Sequence, residues 1–166
     1  MTRSHIVLHH SFTKDAKTVS WDDIERFHTS YRQGGDIITE QGYYSLKAQG
    51  VKGLEKPWSD IGYHAGIEET EGGVQAFLGR DWTRSAAACP QGNMNELGLH
   101  VCVVGNYDVV APSDEHLRVL VTRVLLPWMH LFGIGADQIV GHRDFNPNKS
   151  CPGLLFDTAK VRWMCQ

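Results

Sequence analysis

The heaviest constraint on this chain comes from two short apolar runs far apart in the sequence, each ending on histidine. The first, Ile6-Val7-Leu8, ends on His9-His10, and the last, Gln138-Ile139-Val140-Gly141, ends on His142. If both runs are strands of one sheet, polar groups from opposite ends of the chain emerge together into a cleft at its edge. The segment that follows, His142-Arg143-Asp144-Phe145-Asn146-Pro147-Asn148-Lys149-Ser150-Cys151-Pro152-Gly153, adds a cysteine on a short loop. A tight Pro-Gly turn there presents a thiolate rather than burying it. Two imidazoles and one thiolate are the number of protein ligands a catalytic zinc uses when its fourth position stays open. His9 and His10 are neighbours on an extended chain, so their side chains point to opposite faces and the pattern leaves open which one faces the site.

Composition narrows the partners. The 166 residues, 42% of them hydrophobic, suit one domain spanning 1–166 with a single core. Sixteen Lys and Arg against 19 Asp and Glu give a formal charge of -3, which gives no reason to expect nucleic acid or an anionic membrane as partner. No apolar stretch approaches the roughly 20 residues of a membrane span, so no membrane insertion is expected. Met1 to Lys14 carries no signal-peptide core or cleavage site, which predicts a protein made and kept in the cytoplasm. Four cysteines, Cys89, Cys102, Cys151 and Cys165, are too few for a disulfide scaffold in a chain of this length. Cys102 lies within the apolar run Leu97 to Val104 and reads as a small buried hydrophobe.

The chain has no internal repeat and no low-complexity tract, only short apolar segments separated by glycine-rich or polar turns. The architecture reads as α/β. Strands are expected at Ile6 to His9, Gly62 to Ile67, Val74 to Gly79, Leu97 to Val104 and Gln138 to Gly141, together forming a central sheet of about five strands flanked by helices. Ser20 as N-cap, with Ile24, Phe27 and Tyr31 on one face, predicts a helix from Trp21 to Arg32. A second helix opens at Ser113 and carries Leu117, Leu120, Val121, Val124 and Leu125 at helical spacing, with Pro127 expected to kink or interrupt it. A short third helix is expected from Phe156 to Trp163, and the stretch from Gln33 to Gly53 reads as a long loop or part-ordered insert.

In chain order the segments Ile6-Val7-Leu8-His9-His10-Ser11, Trp58-Ser59-Asp60-Ile61-Gly62-Tyr63-His64, Gly79-Arg80-Asp81-Trp82, Leu99-His100-Val101-Cys102-Val103-Val104-Gly105-Asn106 and Gly141-His142-Arg143 to Cys151-Pro152-Gly153 resemble zinc N-acetylmuramoyl-L-alanine amidases of the phage-lysozyme and peptidoglycan-recognition-protein kind. The resemblance spans nearly the whole chain. It implies a mixed sheet with flanking helices, one zinc in a surface groove, and hydrolysis of the amide joining the muramic lactyl group of peptidoglycan to L-alanine. It makes His9, His142 and Cys151 the zinc ligands, and Tyr63 and Lys149 the catalytic side chains. Lys149 matches the phage branch, where many animal recognition proteins carry threonine. An endolysin of phage or prophage origin is therefore expected, acting on the wall after release, and a chain without a second wall-binding domain suits a thin, accessible peptidoglycan.

The chain departs from its relatives at Cys89, which stands where many carry a histidine, and in a His142 to Cys151 loop one residue longer than in the phage examples. Chemically, two imidazoles and a thiolate leave zinc Lewis-acidic enough to polarise a carbonyl and to bring a water pKa toward roughly 7. Lys149 suits stabilisation of an oxyanion, while Tyr63 could orient or deprotonate the water, or donate to the tetrahedral oxygen. Alternation sends His64 to the face opposite Tyr63, which makes it structural. Two other classes compete: a recognition module that holds peptidoglycan without cutting it, and a cysteine hydrolase with Cys151 as nucleophile and His142 as base. His142-Arg143-Asp144-Phe145 also looks like a kinase catalytic loop, but the glycine-rich phosphate loop, the lysine strand and the Asp-Phe-Gly segment are missing. Trp58 and Trp82 are candidates either for stacking on sugar or for the core.

Overall fold

The first apolar run forms β1 (His5–His10). After it come α1 (Trp21–His28), β2 (Tyr31–Gln33), β3 (Asp36–Ile38), α2 (Glu40–Ala48) and β4 (Leu54–Glu55). The chain continues through β5 (Ala65–Thr70), β6 (Gly73–Leu78), the short α3 (Met94–Leu97) and β7 (Gly98–Val103). Then α4 (Asp114–Leu120) runs through a π-helical turn (Val121–Leu125) into α5 (Leu126–Phe132), followed by β8 (Ile139–Gly141) and α6 (Thr158–Met164). This computed structural model describes residues 2–13 and 19–166; Met1 and Lys14, the ends of the segment read for a leader, lie outside them.

The main sheet has the order β6-β5-β7-β1-β8, with β5, β7, β1 and β8 parallel and β6 antiparallel at the edge. It is the expected mixed sheet of five strands. Its central strands β1 and β7 are buried almost throughout because both faces are covered. On one face Ile6, Leu8, Leu99, Val101 and Val103 pack against Leu117, Leu120, Val124 and Leu125 of the long helix. On the other, Trp21 and Ile24 of α1 cover Cys102 and Val104, and Val7 meets Cys89 and Met94. Each fully buried Leu or Ile contributes about 1.5–3 kcal/mol of transfer free energy, so the strands that carry the site are anchored from both sides.

Several boundaries differ from those the sequence predicts. The stretch Gln33 to Gly53 is not a loop: β2 and β3 pair antiparallel across Gly34-Gly35, and α2 follows with Thr39 as N-cap, its hydroxyl accepting the Gly42 N–H at 3.0 Å. A two-residue glycine turn suits a hairpin because it supplies positive φ, and Gly34 sits at +60°. The first helix ends at His28 rather than Arg32 because Arg32 belongs to β2. There its guanidinium is buried over the rings of Phe27 (4.8 Å) and Trp58 (4.9 Å) and pairs with Glu55 at 2.8 Å. At Pro127 the α-helical run is interrupted, as expected, without being ended. The wide turn Val121–Leu125 precedes it, and Pro127 falls in the first turn of α5, where a missing N–H costs little. The strand expected from Gly62 begins only at Ala65, leaving Tyr63 on the approach to it, and the last helix begins at Thr158, capped by Asp157.

Candidate metal centre

Strand alternation settles the histidine pair. Ile6 and Leu8 face the long helix, so His10 follows them, while His9 shares the opposite face with Val7. His10 accepts the Tyr107 backbone N–H on Nδ1 at 3.2 Å and packs against the Tyr107 ring. His9 instead brings Nδ1 to 3.5 Å from Cys151 Sγ. The parallel register of β8, with Gly141 opposite Leu8, sets His142 beside His9 with ring centroids 5.0 Å apart. One donor atom from each of His9, His142 and Cys151 lies within 4.8 Å of the others. Because His10 belongs to the other face, His10→Ala is expected to leave metal content unchanged, as elemental analysis would show; metal lost with His10 would reverse the assignment.

The Cys151 loop is held by Arg143. Its backbone N–H donates to the Cys151 carbonyl at 2.8 Å, and its guanidinium donates to the carbonyls of Gly153 (2.6 Å) and Phe156 (3.2 Å). Gly153 is required where the loop crosses Tyr107: its φ is +126°, and a Cβ there would sit 2.5 Å from the Tyr107 carbonyl carbon. Asp108 adds hydrogen bonds from the Ser150 hydroxyl (2.7 Å) and the Leu154 N–H (2.8 Å). Sequence reading missed the Arg143 clamp; its only signal was a charged side chain next to the loop it holds.

The electrostatics leave both imidazoles neutral and disfavour a thiol nucleophile. Burial lowers His9 well below the usual imidazole range, with help from the neighbouring His100 and His142, and burial with Lys149 nearby lowers His142. Both rings are therefore neutral at pH 7, the form that ligates a metal. Burial pushes the Cys151 thiol up to about 12, against smaller lowering effects from the His10 backbone N–H and Lys149. A cysteine nucleophile needs its pKa lowered and its histidine partner's raised; here both move the other way. The donor set does fit zinc. Among the described residues His142 Nε2 is buried with no partner, and a tetrahedral zinc with bonds of about 2.3 Å to sulfur and about 2.05 Å to nitrogen spaces those two ligands by roughly 3.6 Å, close to the 3.5 Å between Sγ and His9 Nδ1.

Tyr63 and Lys149 line the same cleft, of about 470 Å³, as the three donors. Tyr63 is half-buried, its ring 5.2 Å from that of His9, and burial with the thiols of Cys102 and Cys151 close by raises its hydroxyl well above the usual tyrosine value. Lys149 is exposed at the rim. A second cleft of about 540 Å³ shares Ser11, His28 and Tyr63 with the first and runs toward Asp36 and Ile37. Trp58 lines the first cleft with its ring stacked on His28 at 4.5 Å, whereas Trp82 lines neither and packs edge-on to Phe132. His28, absent from the sequence reading, accepts the Gly62 N–H on Nδ1, and burial, Arg32 and Arg80 lower it to about 4. His64 is structural: it is buried and bonded to the His100 N–H and the Arg84 carbonyl. Cys89 is a fully buried core residue beside Val7 and Met94. All four thiols are free.

The fold and the sequence pattern also match known proteins. The profile of the Amidase_2 family, N-acetylmuramoyl-L-alanine amidase, matches residues 1–154. Comparison with curated proteins finds no sequence match. Among solved structures, the endolysin N-acetylmuramoyl-L-alanine amidase LysCS from Clostridium intestinale URNW is similar at 20% identity and TM-score 0.67, over 99% of this chain and 84% of that one. Drosophila PGRP-LB is similar at 20% identity and TM-score 0.61, over 92% and 75%. Peptidoglycan recognition protein-LE in complex with tracheal cytotoxin, a monomeric diaminopimelic acid-type peptidoglycan, is similar at 17% identity and TM-score 0.63, over 99% and 82%. At these identities the solved structures establish the shared fold; with the profile covering nearly its full length, the chain belongs to the N-acetylmuramoyl-L-alanine amidase family.

Proposed function

We propose that the chain is a zinc-dependent hydrolase that cleaves the amide between N-acetylmuramic acid and L-alanine in peptidoglycan, and that it serves as a phage or prophage endolysin. The observation that carries this reading is the buried group His9, His142 and Cys151, with one imidazole nitrogen that has no partner among the described residues, at the floor of an open cleft that Lys149 and Tyr63 also line. Zinc held there supplies Lewis acidity toward the scissile carbonyl and an acidified water. The rest falls to side chains. Lys149 places a positive charge where the carbonyl oxygen gains negative charge on the way to the tetrahedral state. Tyr63, its hydroxyl kept protonated by burial, serves as a hydrogen-bond donor to the attacked group rather than as a base. The cleft extends past Tyr63 along α1 and β3, leaving room for a substrate longer than the scissile bond.

The peptidoglycan partner draws support from the family and from the fold shared with a recognition protein complexed with a peptidoglycan fragment. Synthesis in the cytoplasm and action on the wall after release complete the reading. The test pairs elemental analysis of the purified protein with release of stem peptides from purified peptidoglycan, before and after chelation and zinc add-back. About one zinc per chain with chelator-reversible cleavage is expected. Zinc without cleavage would make the protein a recognition module, and cleavage without zinc would return Cys151 to the role of nucleophile.

A further inference from the structure

We propose that His100 is a positioning residue for the metal centre: the lone pair on its Nδ1 holds His9 in the Nε2–H tautomer and so aims His9 Nδ1 at the metal. The inference rests on the metal reading above and assigns a role to a residue outside the ligand set.

The argument is a proton count. His100 Nε2 lies 2.8 Å from the Met94 carbonyl oxygen, which can only accept, so Nε2 carries the proton. Full burial of His100 keeps the ring neutral, and a neutral imidazole has one N–H, so its Nδ1 is a bare acceptor. His9 Nε2 lies 2.9 Å from that acceptor and must donate to it. The remaining nitrogen of His9, Nδ1, is left with its lone pair, and it is the atom 3.5 Å from Cys151 Sγ. Each step follows from which atoms can donate. A metal-ligating histidine whose second nitrogen donates to a fixed acceptor has its tautomer and ring orientation set before the metal arrives.

The surroundings hold His100 in place for this role. Its ring lies nearly parallel to that of His9, with centroids 5.1 Å apart and planes 22° apart. Its backbone N–H donates to His64 Nδ1 at 2.9 Å, which obliges His64 Nε2 to carry the proton it shares with the Arg84 carbonyl at 3.0 Å. Room for the ring depends on Gly98, where a Cβ would come within 2.8 Å of both His100 Nε2 and the Met94 oxygen. On β7, His100 and Cys102 share the face that Val7 and His9 present on β1, since Val7 stands opposite His100 and His9 opposite Cys102. The route from the Met94 carbonyl to the ligand nitrogen is thus continuous: carbonyl, His100, His9, site.

Long-range proton–nitrogen correlation NMR on histidine-labelled, metal-free protein reads the tautomer directly and needs no variant. His9 is expected as the Nε2–H form, and titration with zinc alone should move its Nδ1 resonance. Two variants separate the two bonds of His100. His100→Asn places a carbonyl oxygen near the position of Nδ1, while His100→Gln reaches toward the Met94 carbonyl but offers His9 no acceptor. Zinc affinity by chelator competition should fall about 10- to 100-fold in the glutamine variant and stay near the wild type in the asparagine variant, with circular dichroism reporting folding of both. Zinc bound through His9 Nε2, an Nδ1–H tautomer in the metal-free protein, or a folded glutamine variant with wild-type affinity would overturn the role of His100 while leaving the metal centre intact. Wild-type protein that binds no zinc would overturn the metal reading and this inference with it.

Discussion

Cys151→Ala is expected to lose bound zinc and to reduce stem-peptide release to background, while the chain still folds. The sulfur is the only thiolate donor of the group, and without it two neutral imidazoles remain, short of the three protein ligands a catalytic zinc uses. The loop itself does not depend on the sulfur, because Arg143 holds it through backbone carbonyls and Asp108 through the Ser150 hydroxyl and the Leu154 N–H. Folding and metal loss are therefore separable. Thermal denaturation with and without chelator gives a second reading: zinc at about 100 times its Kd stabilises the wild type by about 2.7 kcal/mol, and the variant should show no such difference. His142→Ala should behave alike, since it removes the buried nitrogen that has no partner among the described residues. A Cys151→Ala protein that keeps full zinc occupancy, or keeps cleaving without it, would refute the scheme.

The elements that place the ligands were legible in the sequence because they are continuous apolar runs. Ile6 to His9 and Gln138 to Gly141 match β1 and β8 to within a residue, and a strand buried on both faces leaves no other pattern. The same property hid the choice between His9 and His10. With Ile6, Val7 and Leu8 all fully buried, no alternation of polar and apolar residues marks which face is which, and only packing against the long helix decides it. The region from Gln33 to Gly53 was misread for the opposite reason. Its helix buries Tyr43 alone and depends on the Thr39 cap, so an argument from apolar periodicity passes over it. The Gly34-Gly35 pair is a hairpin signal, but the short strands that it joins carry too few apolar residues to mark them. Arg32 ends the first helix early by stacking on Phe27 and Trp58 and pairing with Glu55, and the last two lie too far along the chain for any local window to contain.

Within the site, the ligand set, Tyr63 and Lys149 all come to one cleft, and the motif order of the sequence contained that much. His100 was not legible. It sits in β7 between Leu99 and Val101, where a polar residue facing away from the long helix is visible from alternation, but its meaning depends on the register that places β7 beside β1. The acceptor that fixes its proton, the Met94 carbonyl, is a backbone atom whose position the sequence does not encode locally. Residues that ligate are recognisable by type, whereas residues that orient ligands are recognisable only by geometry.

Lys149→Ala is expected to keep its zinc and lose rate. The ammonium is exposed at the cleft rim and donates no hydrogen bond among the described residues; the Lys149 backbone N–H, which does close a turn onto the Asn146 carbonyl at 3.0 Å, survives the substitution. Its charge acts against positive charge at the centre, being among the causes that lower His142. Removing it therefore relieves repulsion toward a divalent cation, and zinc affinity should hold or rise. The loss should fall on the transition state, where removal of one oxyanion donor costs about 10²–10³ in kcat, or roughly 2.7–4 kcal/mol. Lys149→Arg, which keeps the charge with a different donor geometry, should recover part of that rate. The measurement is kcat and KM for a soluble muramyl-peptide alongside zinc content. A fall in zinc occupancy, or a rate within a factor of about three of wild type, would remove Lys149 from the catalytic scheme, because a charge that stabilises only the developing oxyanion has to leave metal content untouched while changing the barrier.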